Sequence, residues 1–200
     1  MGEETEGHGG VTRVEAFSDG VIAIIITIMV LEMHAPEETG LEHLWALWPV
    51  FTAYALSYAY VAIYWVNHHR MFHFASRVTN GLVWSNIALL FALSLVPFAT
   101  AYLGEHAFSA QATLVYMCVM MLPAIAYVWL QAEVRRTGRQ DAGAQDYHKR
   151  MLRKGMVTSA IYAAGIPLTF VTPWLGLACA ALVAILWFLP KGPFDRFFAR

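Results

Sequence analysis

The sequence predicts an all-α integral membrane protein with six transmembrane helices, and three observations predict it. The 200 residues are 58% hydrophobic and 14% charged, with mean hydropathy +0.51. Soluble domains run about 45–50% apolar and roughly 25% charged. The apolar residues gather in runs near the ~20 residues that a helix needs to cross a bilayer. Finally, all 13 Lys and Arg residues fall on alternate connections between those runs. The formal net charge of -1 hides that polarity and identifies no acidic or basic partner.

Residues 1–12 open with MGEETEGHGG and read as a short disordered leader. They lack the basic n-region of a cleavable signal. Glu6 stands where a myristoylation sequence wants Ser or Thr. Segment one runs from about Arg13 to Met33, and Phe17 to Met33 alone rises roughly 25 Å. Pro36 and Gly40 then break the chain in the acidic loop APEETGLEH. Segment two, about Leu44 to Val66, is rich in Trp and Tyr, which suit interfacial belts at its ends. It is expected to stop in the polar cluster NHHRMFHFASRVTN.

Segment three, about Leu82 to Leu103, carries Asn86 near its start and Pro97 inside. The short turn GEHAFS leads to segment four, about Ala107 to Gln131, with Pro123 as a second expected kink. Neighbours can satisfy the carbonyl that a proline frees in a membrane helix. Residues 132–150 are the one long hydrophilic stretch and predict two helical ends joined by a Gly-containing loop. Segments five (about Met151 to Val171) and six (about Trp174 to Leu189) form an antiparallel hairpin through Thr172-Pro173. The chain thus divides into the leader, a six-helix transmembrane domain over 13–190 and a basic tail over 191–200. It has no convincing internal repeat.

Six spans put both termini on one side. Arg13, Arg70, Arg77, the Lys and Arg residues of 135–154, and Lys191, Arg196 and Arg200 all lie on that side. The positive-inside rule makes it the cytoplasm. Cys118 and Cys179 fall within apolar runs and read as small core-filling residues; no CxxC spacing or disulfide framework exists.

The first segment, RVEAFSDGVIAIIITIMVLE, organises the rest. At about 100° per residue, Phe17, Gly20, Ile24, Thr27, Ile28 and Leu31 share one stripe, with Arg13 on the same line. Asp19 falls nearly opposite, with Glu15, Ile22, Ile26 and Val30. Ionisable groups at the entry of an apolar helix are costly without partners. Arg13, Asn67, His68, His69 and Asn86 are the candidates for Asp19. The stripe itself supports two readings. Several copies around an axis would form a tube with a hydrophobic ring at Ile24, a hydroxyl ring at Thr27 and apolar rings at Ile28 and Leu31, and such constrictions gate by dewetting. Equally, an Ile/Leu stripe packs, and a membrane Thr bonds back to a carbonyl one turn earlier.

Arg13, Phe17, Ser18 and Asp19 resemble the signature of the endosomal and lysosomal potassium channel family (transmembrane protein 175), in which Arg, three residues and Phe-Ser-Asp open the first helix. The likeness continues through GVIAI, Thr27 and Leu31–Glu32, the YWVNHHR end of segment two, and the Asn86…Pro97-Phe98 spacing. The resemblance implies a potassium-preferring cation channel. It implies that a single repeat forms a homotetramer with first helices lining a central pore. It places the isoleucine constriction at Ile24, the selectivity-linked threonine layer at Thr27, and further pore positions at Ile28 and Leu31. Ile28 departs from the leucine common in the family. Arg13, Phe17, Ser18, Asp19, His68 and Asn86 read as a brace that fixes the rotation of the first helix. The expected setting is the plasma membrane of a prokaryote, with the lipid bilayer and further copies of the chain as partners. Potassium is the permeant ion, and no cofactor is implied.

Other readings fit less well. His68-His69-xxx-His73 is a single histidine box, short of the several that a membrane di-iron site uses. No nucleophile–base pair or phosphate loop points to an enzyme, and the composition excludes a soluble nucleic-acid binder. A secondary transporter is the alternative, but internal repeats and midplane charges are missing. A proton leak past Ile24 is the other alternative.

Overall fold

The computed structural model describes the backbone of residues 2–188 and the side chains of residues 9–188. The tail expected at 191–200 lies outside the described residues. The described chain is helical throughout: α1 (Gly2–Leu31), α2 (Leu41–Ala46), α3 (Trp48–Phe72), α4 (Asn80–Ser94), α5 (Val96–Glu105), α6 (Ala110–Thr137), α7 (Ala142–Leu168) and α8 (Pro173–Phe188).

Several boundaries move from those expected, for local reasons. The helix of α1 begins at Gly2, upstream of Arg13, and so runs through the stretch expected as a leader. Val11 is buried, and Gly10 lies against the side chain of Val78. Pro49 stands in the first turn of α3 and separates it from the short α2 at Leu47. Toward its other end, α3 continues through the polar cluster to Phe72 because Asn67, His68, Met71 and Phe72 are all buried there. The two prolines behave differently. Pro97 cannot donate a backbone hydrogen bond, and the third segment divides at Leu95 into α4 and α5. Pro123 sits within an unbroken α6.

Among the described residues, four helical stretches have the length and apolarity of a membrane span: Gly9–Leu31, Trp48–Phe72, Asn80–Glu105 and Ala110–Thr137. The helix α8 is apolar but shorter, and α7 joins a polar first half to an apolar second half. The expected connection between α6 and α7 is present. Asp141 caps α7 by accepting from the Ala144 amide at 2.9 Å. Gly138 allows the chain to pass close to the Phe74 backbone, where Arg139 N–H donates to Phe74 O at 2.9 Å. Between α5 and α6, Ala107 and Phe108 take left-handed backbone angles (φ 45° and 59°). Burial of the Phe108 ring between Trp48 and Trp174 compensates that strain.

The helix α6 is the centre of the packing, with α4, α5, α7 and α8 against it and a smaller contact to α3. Its face carries Tyr116, Met117 and Met120, all fully buried. One set of polar groups inside this apolar bundle is joined by hydrogen bonds between helices. Thr100 Oγ1 donates to Ser57 Oγ at 2.7 Å, Ser57 bonds Tyr116 Oη at 3.1 Å, and Tyr60 Oη donates to Met120 O at 2.6 Å. Cys118, expected in the core, is exposed on α6, whereas Cys179 is half-buried. The helix α1 stands at the edge of this bundle, packed on α3, α4 and α5. One of its sides is therefore covered by its own chain and the other is not.

Candidate ion pathway on the first helix

The uncovered side of α1 is the predicted stripe. Phe17, Ile24, Ile28 and Leu31 are 61%, 58%, 38% and 75% exposed, and Arg13, Gly20 and Thr27 are exposed with them. The covered side is Ser18, Ile22, Ile25 and Met29, at 0–3%. Thr27 Oγ1 donates to Ile24 O at 2.8 Å. Its one hydrogen is thereby spent, and the oxygen keeps acceptor capacity alone.

The covered side departs from the expected register by about a quarter-turn. Asp19, Glu15 and Ile26 are half-buried flanks rather than the centre of the buried face, and Val30 is 48% exposed. Polar contacts on this flank are built as rungs. Trp65 Nε1–H donates to Asp19 Oδ1 at 2.9 Å, and His69 Nδ1 lies 2.8 Å from Glu15 Oε1. Residues four apart share a helix face, so the Glu15/Asp19 pair on α1 meets the Trp65/His69 pair on α3.

A second contact group lies beside these rungs. Ser18 Oγ donates to Val14 O at 2.8 Å, leaving only its acceptor capacity. Asn86 Nδ2 donates to it at 2.9 Å, and Asn86 Oδ1 lies 2.8 Å from His68 Nε2. Because Asn86 presents its oxygen to His68, the imidazole carries its proton on Nε2. His68, Asn86 and Ser18 are all buried, and His68 stacks on Phe72 with ring centroids 4.3 Å apart. Three helices are thus joined by one directed chain, α3 to α4 to α1.

The residues expected from the sequence to act together are paired differently from that expectation. Ser18, His68 and Asn86 come together as one group. Asp19 does not join them and is held by Trp65, a residue the sequence suggested only as an interfacial aromatic. Arg13 makes no ion pair with Asp19. It is exposed, and with Phe17, Val78 and Asn86 it lines an open groove. Glu15–His69 was also missed. The signal available for it was the matched four-residue spacing of Glu15/Asp19 and Trp65/His69. His69 is engaged by Glu15 and His73 is exposed; among the described residues no three His, Cys, Asp or Glu side chains converge as a metal site.

At the far end of α1, Ile28 and Glu32 face Pro97, Phe98, Tyr102 and Glu105 across a groove of ≈ 370 Å³. Aromatic side chains on α4 and α5 continue this uncovered surface, with Trp84, Phe91 and Phe98 more than 60% exposed. An apolar helix face open along its length, held from behind by polar contacts, is a surface the single chain leaves unfinished.

Comparison with known proteins gives this arrangement its family. Residues 13–97 match the family model described as endosomal/lysosomal potassium channel TMEM175. A potassium channel of a Chryseobacterium species is 38% identical over 185 residues, covering 92% of this chain and 95% of that one. A potassium channel of Streptomyces collinus is 38% identical over 192 residues, covering 88% and 90%. The crystal structure of a lysosomal potassium-selective channel TMEM175 homologue from Chamaesiphon minutus superposes with TM-score 0.80 at 30% identity, over 90% of this chain and 96% of that one. The chain belongs to the TMEM175 potassium channel family.

Proposed function

We propose that the protein is a potassium-preferring cation channel of a prokaryotic plasma membrane, working as a homotetramer with α1 of each copy lining a central pore. Its family is one of ion channels, and the protein is not an enzyme. The observation that carries the finer reading is the two-sidedness of α1. Ile24, Thr27, Ile28 and Leu31 are left bare by their own chain, while Ser18 and Asp19 are tied behind them.

In this reading Ile24 forms the constriction. Water leaves a narrow ring of isoleucines readily, which sets the barrier to ions. One turn on, four Thr27 oxygens replace part of an ion's hydration shell. Ile28 and Leu31 extend the apolar lining. Potassium holds its hydration shell less tightly than sodium, so a site offering few weak oxygen ligands costs potassium less. Six spans with both termini cytoplasmic accord with the segregation of the 13 cations. Arg13, Phe17, Ser18, Asp19, His68 and Asn86 belong to the support: the hydrogen-bonded members fix the rotation of α1, and with it which side chains meet the axis. Arg13 and Phe17 sit at the exposed entry, where a neighbouring copy would cover them.

Potassium and sodium flux into liposomes holding the purified protein tests this reading, with wild type beside Thr27→Ala. The expected result is faster potassium flux in wild type and a reduced preference in the variant. A folded wild type that passes neither ion would contradict the channel reading.

A further inference from the structure

Two cations meet in a groove lined by α6, α7 and the connection between them. The apolar part of α6, from Ala110 to Leu130, rises about 30 Å, enough to cross the hydrocarbon. Trp129, 47% exposed, marks the end of that stretch. Just beyond it, between the last turns of α6 and the start of α7, lies a groove of ≈ 740 Å³. Its wall includes Arg135, Arg136, Lys149, Glu133, Gln140 and Gln145.

The charges of this groove do not cancel. Glu133 is engaged by Arg136 at 3.0 Å. Arg139 and Asp141 pair with each other at 2.8 Å nearby. Arg135 and Lys149 are exposed and take part in none of the ion pairs among the described residues. The two glutamines are spent on shaping the wall. Gln140 Nε2 donates to Arg135 O at 2.8 Å and Gly138 O at 3.2 Å, and Gln145 Nε2 donates to Gln140 O at 2.9 Å. The connection is thereby folded back against the helix end, and the two unpaired cations share one concave surface.

We propose that this groove binds the phosphodiester headgroup of an anionic phospholipid. Depth and charge both favour that occupant: the groove begins where the apolar helix ends, and headgroups lie at that level. Basic pockets between transmembrane helices near the headgroup layer hold anionic lipids in this way. The guanidinium of Arg135 suits a phosphate geometrically, because its N–H groups form a planar fork. Lys149, from the other helix, closes the site as a point charge. Since α6 and α7 each supply one cation, a bound lipid would also bridge the connection that joins them.

The test is native mass spectrometry of the purified full-length protein, titrated with dioleoyl phosphatidylglycerol and, separately, dioleoyl phosphatidylcholine. Wild type should retain the anionic lipid at least tenfold more tightly, and Arg135→Gln/Lys149→Gln should abolish most of that preference. Arg70→Gln/Arg77→Gln removes equal charge from the same end of the molecule and should retain it. Equal losses in both double variants would overturn the site in favour of diffuse attraction. Equal retention of the two lipids by wild type would also overturn it. Displacement of phosphatidylglycerol by millimolar glycerol 3-phosphate would overturn the assignment to lipid, since a soluble phosphate would then suffice. Gel filtration and circular dichroism establish that each variant is folded.

Discussion

The two sides of α1 are equally apolar in their middle residues, yet their chemistry is opposed. On the covered side, Ile22, Ile25 and Met29 are closed off, and the polar groups before them each have a partner within 3 Å. On the open side, Ile24, Ile28 and Leu31 touch little, and the only mid-helix hydroxyl, Thr27, bonds to its own helix. A helix in lipid gains nothing by burying aliphatic groups against aliphatic groups, so packing and polar contacts decide its rotation. The contacts of Ser18 and Asp19 therefore bear on which isoleucines of α1 the chain covers and which it leaves open.

This contrast predicts that substitutions on the covered side cost stability and that those on the open side change conduction. Asn86→Ala should have the largest effect. It removes the one hydrogen-bond partner of the buried His68 ring, and an orphaned group of that kind costs about 1–3 kcal/mol; Ser18 loses the Asn86 amide but keeps its bond to Val14 O. Thermal unfolding in detergent should show a marked loss, with less oligomer on gel filtration. Trp65→Phe keeps the ring but removes the hydrogen bond to Asp19, a bond to a charged acceptor worth about 1.5–3 kcal/mol at most. The carboxylate is only half-buried, so water recovers part of that, and the measured loss should be smaller than for Asn86→Ala. Ile24→Asn should cost least, within about 0.5 kcal/mol, yet raise potassium flux several-fold by wetting the constriction. A stable Asn86→Ala protein with altered ion preference would break the comparison, as would an Ile24→Asn protein that unfolds without gaining flux.

The sequence made some of this legible and concealed the rest. The stripe from Phe17 to Leu31 was readable because helical periodicity survives any tertiary arrangement. Of the six residues expected to act together, Ser18, Asn86 and His68 meet, whereas Asp19 bonds Trp65 and Arg13 forms no ion pair with it. The partner of Asp19 was not readable. An indole at the end of a membrane segment has two uses, interfacial anchor and hydrogen-bond donor, and only the position of α1 decides between them for Trp65. The end of α3 was hidden for a related reason. Asn67 and His68 look like a helix terminus, but Asn67 Nδ2 bonds Ile63 O and His68 bonds Asn86, so the helix carries them inward. The division at Leu95 and continuity at Pro123 show the same limit: a proline announces a missing donor, and the neighbours decide whether the helix breaks.

The most direct test of the account is thiol accessibility along α1. The background would carry Cys118→Ser and Cys179→Ser, because Cys118 is exposed and Cys179 half-buried. Single cysteines at Ile24, Thr27 and Leu31 would be compared with cysteines at Ile22, Ile25 and Met29. Potassium flux into liposomes would be measured before and after a small cationic thiol reagent. The reagent should block flux at the first three positions and leave it unchanged at the other three. Block at Ile22, Ile25 and Met29, with free flux at Ile24, Thr27 and Leu31, would contradict the account.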